Sequence, residues 1–212
     1  MPLVEKPRGY DKIVGIGIEK LVSGTSSPEA GIKPMVAKDT YMYFDDTEKS
    51  PNFVKAQYYL TKLIHKLFPA NVPDVYFTSI NEGDKITMDQ RVEVVDGERT
   101  KRKEKADPFT SKRINAVQDI FRNLGLNFDQ FDWNFNVDKD GNIIYMDSFR
   151  PWFDFERTGA PILKLNVVAV NKLIENIKDA RSKEECTNYL ERIKFLYDQE
   201  MDVLNKQNKI IV

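Results

Sequence analysis

The chain has 212 residues, 41% hydrophobic and 31% charged, with a formal net charge of −1. That suffices for one ordinary domain or two small lobes, and 32 Lys and Arg against 33 Asp and Glu exclude bulk electrostatic attraction to nucleic acid. One cysteine, Cys186, excludes an internal disulfide and suits a reducing compartment; with His65 as the single histidine, a His/Cys zinc site or a hydrolase triad lacks residues.

The N-terminal MPLVEKPRGYDK has no apolar stretch of the signal-peptide kind, and no apolar run approaches the roughly 20 residues of a membrane span. A cytoplasmic protein is expected, or a virion-associated one if the source is a phage. Residues 11–44 predict strands in DKIVGIGIEKLV and PMVAKDTYMYF around a loop, SGTSSPEAGIKP, dense in Gly, Ser and Pro. Ser50-Pro51 predicts a helix start, with Ser as cap and Pro at the first position. Phe53, Ala56, Tyr59, Leu60, Leu63, Ile64 and Leu67 keep the helical period up to Pro69, and His65 reads as a helical-face residue rather than a catalytic base. VPDVYFTS and KITMDQRVEVV predict two strands joined at NEGD.

From about Asp96 to Pro108 the chain is polar, and the basic run Arg99–Lys103 reads as a solvated loop. Ile114, Val117, Ile120 and Phe121 predict a helix from about Thr110 that stops at Leu124-Gly125. Past Pro161 two helices are expected, over about 162–179 and 183–206, with Ser182 as a cap.

Between these helical regions lies NFDQFDWNFNVDKDGNIIYMDSF, residues 127–149, acidic and aromatic at once. Asp140-Gly141 between apolar strands predicts a hairpin, which alone would explain Asp138, Asp140 and Asn142. Counted from Asn136, oxygen-bearing residues also fall at positions one, three and five of a calcium loop, with Gly141 at six and Asp147 at twelve. Against that, position one is Asn, position twelve is Asp rather than Glu, and the flanks read as strands. A third reading uses more of the residues. Phosphoryl transfer needs a carboxylate near the attacking hydroxyl and oxygen ligands for Mg²⁺. Asp129 to Asn134 is five residues and Asn134 to Asp147 is thirteen, with a hairpin between them that holds the last two side by side.

In that spacing the chain resembles the protein-kinase-like superfamily in its small divergent forms, such as aminoglycoside phosphotransferases and HipA-type kinases. The resemblance covers about residues 11–150 in order and spacing. It implies an α+β, two-lobed protein-kinase-like fold, with a β-rich N-terminal lobe over 1–95 and a short, mostly helical C-terminal lobe over 96–212. It implies ATP and Mg²⁺ as cofactors. Asp129, or its rival Asp132, would be the catalytic base, and Asn134 and Asp147 the metal ligands. Lys38 in Val36-Ala37-Lys38 would hold the phosphates with Gln57 as partner, or Asp45, Asp46 or Glu48 just upstream, beneath a loop carrying Gly24 and Ser26. Backbone groups from Asp89 to Val92, on an edge strand, would meet adenine. The phosphoryl acceptor would be a small molecule, and neither nucleic acid nor membrane is an expected partner.

The pattern also departs from the family. No His precedes Asp129, Ser148-Phe149 follows Asp147, the helix over 51–68 has no Glu, and no Gly-x-Gly-x-x-Gly is present. These departures support a rival: a kinase-like module that binds or builds, for example in a phage particle, with its chemistry lost. The calcium protein is the third possibility.

Overall fold

The computed structural model describes residues 20–25, 33–37, 40–43, 51–82, 85–93, 97–99, 107–138, 140–147, 149–152 and 162–210; in the strands of 20–43, 76–93 and 97–99 the description is of the backbone. The strands are β1 (Lys20–Thr25), β2 (Lys33–Ala37), β3 (Thr40–Tyr43), β4 (Val75–Glu82), β5 (Lys85–Glu93), β6 (Gly97–Arg99), β7 (Phe135–Asp138) and β8 (Ile143–Tyr145). The helices are α1 (Pro51–Leu67), α2 (Pro108–Asn123), α3 (Val167–Glu175) and α4 (Ala180–Ile210). The backbones of β1 to β5 pair antiparallel in the order β2-β1-β4-β5-β3, and β6-β7-β8 form a second antiparallel sheet.

The chain divides into two compact units, Met1–Lys49 with Val75–Val94, and Ser50–Asp74 with Val95–Val212. Helix α1 thus groups with the C-terminal helices. The cause is its apolar face: Phe53, Ala56, Tyr59, Leu60, Leu63 and Ile64 are buried, and the helix packs along α4. Lys66 bonds Glu185 at 2.7 Å, and the rings of Tyr59 and Tyr189 lie 5.9 Å apart.

Among the residues described to their side chains, helix predominates, and strand structure reduces to the β7–β8 hairpin and Val75 at the start of β4. No β-rich N-terminal lobe of the kinase type is shown there, which corrects the expected two-lobed kinase-like fold. Two backbone details agree with the correction. KITMDQRVEVV was expected as an edge strand, yet β5 is interior, with β4 on one side and β3 on the other. Ser23, Gly24 and Thr25 were expected in a loop, yet they belong to β1, where Gly24 pairs with both Lys33 and Thr78.

In the second unit the helix ends follow local chemistry. Asp107 caps α2 by accepting from the N–H groups of Phe109 and Thr110, at 2.9 and 3.1 Å, so the helix opens at Pro108 rather than Thr110. Ile120, assigned to its apolar stripe, is exposed. The Asp179 carboxylate accepts from Ser182 N–H at 2.8 Å and caps α4, the role the sequence suggested for Ser182. Strand β6 occupies the start of the segment expected to be a polar loop. Trp152 is core: its ring meets Phe53 edge-on at 5.4 Å and Tyr197 at 5.8 Å.

Candidate functional site

The acidic stretch is anchored at both ends. Upstream, Gly125 adopts φ +68°, Leu126 N–H donates to Phe121 O and Gly125 N–H to Arg122 O. This left-handed stop ends α2 and sends the chain away from the helix. Downstream, Arg150 N–H donates to Asn127 O at 2.8 Å, closing the stretch on itself. One face of the hairpin is an aromatic cluster. Tyr145, fully buried, lies 5.7 Å from both Phe121 and Phe128, 5.2 Å from Phe135 and 5.0 Å from Phe149 between ring centres. Asn71, just past α1, ties the hairpin down: its Nδ2 donates to Ile143 O at 2.9 Å and its carbonyl accepts from Tyr145 N–H at 2.8 Å.

The hairpin tip is a hydrogen-bonded turn. Asp138 accepts from the N–H groups of Asp140 at 3.0 Å and Asn142 at 2.7 Å, and from Asn142 Nδ2 at 2.9 Å. The Asn142 amide, helped by backbone N–H groups, holds the Asp138 carboxyl below its usual range. Asp140 is exposed. A calcium loop would need Asn136, Asp138, Asp140 and Asp147 to converge. Instead both Asp138 oxygens are committed to the turn, and Asn136 is buried in the sheet. Among the described residues no group of three or more His, Cys, Asp or Glu could hold a metal ion.

The base is different in character. Asn134 ends a 3-10 turn, Asp132–Asn134, and its N–H donates to Phe131 O at 2.9 Å. Its carbonyl accepts from Met146 N–H at 2.7 Å, which places Asn134 opposite Met146 with Asp147 the next residue. Strand β8 has ended at Tyr145 and Asp147 sits in a bend, so the pleat no longer dictates its direction. Asn134 is 4% exposed, and its Nδ2 has no hydrogen-bond partner. Asp129 is exposed; its carboxylate accepts from Phe131 N–H at 3.3 Å, and its own N–H donates to the Tyr145 hydroxyl at 3.1 Å. Asp132 is half-exposed at the start of the turn. Asp129, Asp132, Asn134 and Asp147 therefore come from one continuous, anchored segment.

The expected nucleotide-binding residues fare differently. Lys38 and Ser26 lie outside the described residues. Gly24 is in an interior strand, so its backbone is held by two neighbours and does not form a phosphate loop. Val92 pairs with Val75 on one side and Tyr41 on the other, and Asp89 pairs with Thr78. Backbone groups within an interior strand are engaged in its ladders, so an adenine finds few of them unoccupied. Gln57 is 1% exposed on α1, and neither atom of its amide has a partner.

Sequence reasoning passed over Tyr145 and gave Asn136 only the first position of a calcium loop. Asn136, in β7, is buried and leaves Oδ1 unpartnered. The signal was present: an asparagine sits between Phe135 and Val137 in a strand, where buried polar groups are costly. Tyr145 was taken only as a strand residue, although its hydroxyl reaches Asp129. No protein-family model matches the chain, and neither a curated protein nor a solved structure matches it.

Proposed function

We propose that the chain binds Mg²⁺ with a nucleotide at the base of the β7–β8 hairpin and acts as an ATP-dependent phosphotransferase on the hydroxyl of a small molecule. One observation carries the reading: the bond from Met146 N–H to the Asn134 carbonyl, which sets Asn134 opposite Met146, the residue before Asp147. An amide oxygen and a carboxylate from the two ends of one hairpin suit a hard, oxygen-seeking cation. Asn134 and Asp147 would hold Mg²⁺. Asp129 or Asp132 would accept the proton of the attacking hydroxyl. A cytoplasmic location goes with this activity; among the described residues no helix is long and apolar enough to cross a membrane.

A second reading has specific support. Gly24 and Val92 sit in interior strands and Asn134 is almost fully buried, which suits a binding or structural module without chemistry. Phosphate release from ATP with Mg²⁺, in the presence and absence of small alcohols, separates the two. Activity in the wild type that falls at least a hundredfold in Asp129→Asn or Asp132→Asn identifies the base. No release above background in the wild type leaves the module.

A further inference from the structure

Helix α4 buries one side and leaves the other open. Cys186, Leu190, Ile193 and Leu196 are buried, on the side that packs along α1 and α3. Half a turn around the helix, Glu184, Asn188, Glu191, Phe195, Asp198 and Asp202 follow one another at alternating steps of four and three, and all are exposed. That step keeps residues on one face. Arg192, Gln199 and Lys206 flank this stripe and are exposed too. Phe195, 51% exposed, is the large apolar residue at its centre.

We propose that this face of α4 docks antiparallel onto α4 of a second copy of this chain, about a twofold axis at Phe195. In such a pairing, residues equally far before and after Phe195 meet. Phe195 stacks on its own copy. Arg192 meets Asp198, Glu184 meets Lys206, Glu191 meets Gln199, and Asn188 meets Asp202. Over residues 184–206 no like charges face each other, and the symmetry forms every unlike pair twice. Moving the axis one helical turn, to Gln199, would set Arg192 against Lys206, so charge selects the register. Phe195 supplies the anchor and the charges supply the specificity.

Sedimentation of the full chain over a range of concentrations tests this. The proposal expects a species of twice 24.6 kDa that dissociates on dilution and at high salt, as ion pairs weaken. Arg192→Asp alone, Asp198→Arg alone and Phe195→Lys should each give monomer with unchanged helix content. The double variant Arg192→Asp with Asp198→Arg should dimerise again. A wild type that is monomeric at every concentration overturns the proposal. So does a dimer indifferent to all three single changes, or a double variant no more dimeric than the singles.

Discussion

Replacing Gly125 by alanine probes how the acidic stretch is launched. Gly125 has φ +68°, and a Cβ there would press on the Lys164 carbonyl oxygen and lie 3.0 Å from both Asn166 N and Lys164 C. Left-handed backbone costs a non-glycine residue about 1–2 kcal/mol. Relieving the contact requires moving residues 164–166, which strains the bond from Asn166 N–H to Leu124 O, 2.8 Å long. Losing one such bond costs about 1 kcal/mol, so Gly125→Ala should destabilise the fold by about 2–3 kcal/mol in all. Gly141, at φ +81°, is the control. A Cβ there meets only the flexible Arg113 guanidinium, at 3.9 Å or more, so Gly141→Ala should cost the strain alone, about 1–2 kcal/mol. Urea unfolding followed by circular dichroism measures both, as a lower midpoint at unchanged slope. A loss below about 0.5 kcal/mol for Gly125→Ala, the range of a neutral surface change, would refute the close approach of residues 164–166 to the end of α2.

Gln57→Met keeps the volume of a buried side chain whose amide has no partner; it should raise stability by about 1–3 kcal/mol, read in the same urea titration. Tyr145→Phe removes the hydroxyl that accepts from Asp129 N–H and should cost about 1 kcal/mol, with the exchange of the Asp129 amide proton accelerating. Side-chain and backbone hydrogen bonds hold the carboxyls of Asp107, Asp138 and Asp179 below their ordinary value of 3.8. A depressed carboxyl stabilises the fold above its unfolded value and loses that contribution as pH falls through the lower folded one. Acid titration should therefore show the three carboxyl resonances changing below pH 3.8, with the caps of α2 and α4 and the hairpin tip loosening there.

Local features were legible because local chemistry dictates them. Pro51 opens α1, Leu124-Gly125 ends α2, and Asp140-Gly141 turns the hairpin, each through a backbone preference that no distant contact overrides. The hairpin itself was readable for the same reason, but its register sets Asn134 opposite Met146 rather than Asp147. What failed was non-local. Periodicity shows that α1 has an apolar face but not that α4 covers it. Alternation shows that KITMDQRVEVV is a strand but not that β3 pairs on its outer side. The resemblance to kinases assumed both partners, and both differ. Asp179 outcompeted Ser182 as a cap because its carboxylate reaches the free N–H of Ser182, a choice that propensity alone leaves open between them.

The central claim is that the hairpin base holds Mg²⁺ and a nucleotide through Asp147. Thermal unfolding of the wild type and of Asp147→Asn, each with ATP and Mg²⁺ and with Ca²⁺ alone, tests it most directly. At a ligand concentration a hundred times its dissociation constant, binding stabilises the folded state by about 2.7 kcal/mol. The account predicts a shift of that size for the wild type with ATP and Mg²⁺, none with Ca²⁺ alone, and its loss in Asp147→Asn without a change in the ligand-free midpoint. A wild type unmoved by ATP and Mg²⁺, or a shift that Asp147→Asn leaves intact, would contradict it.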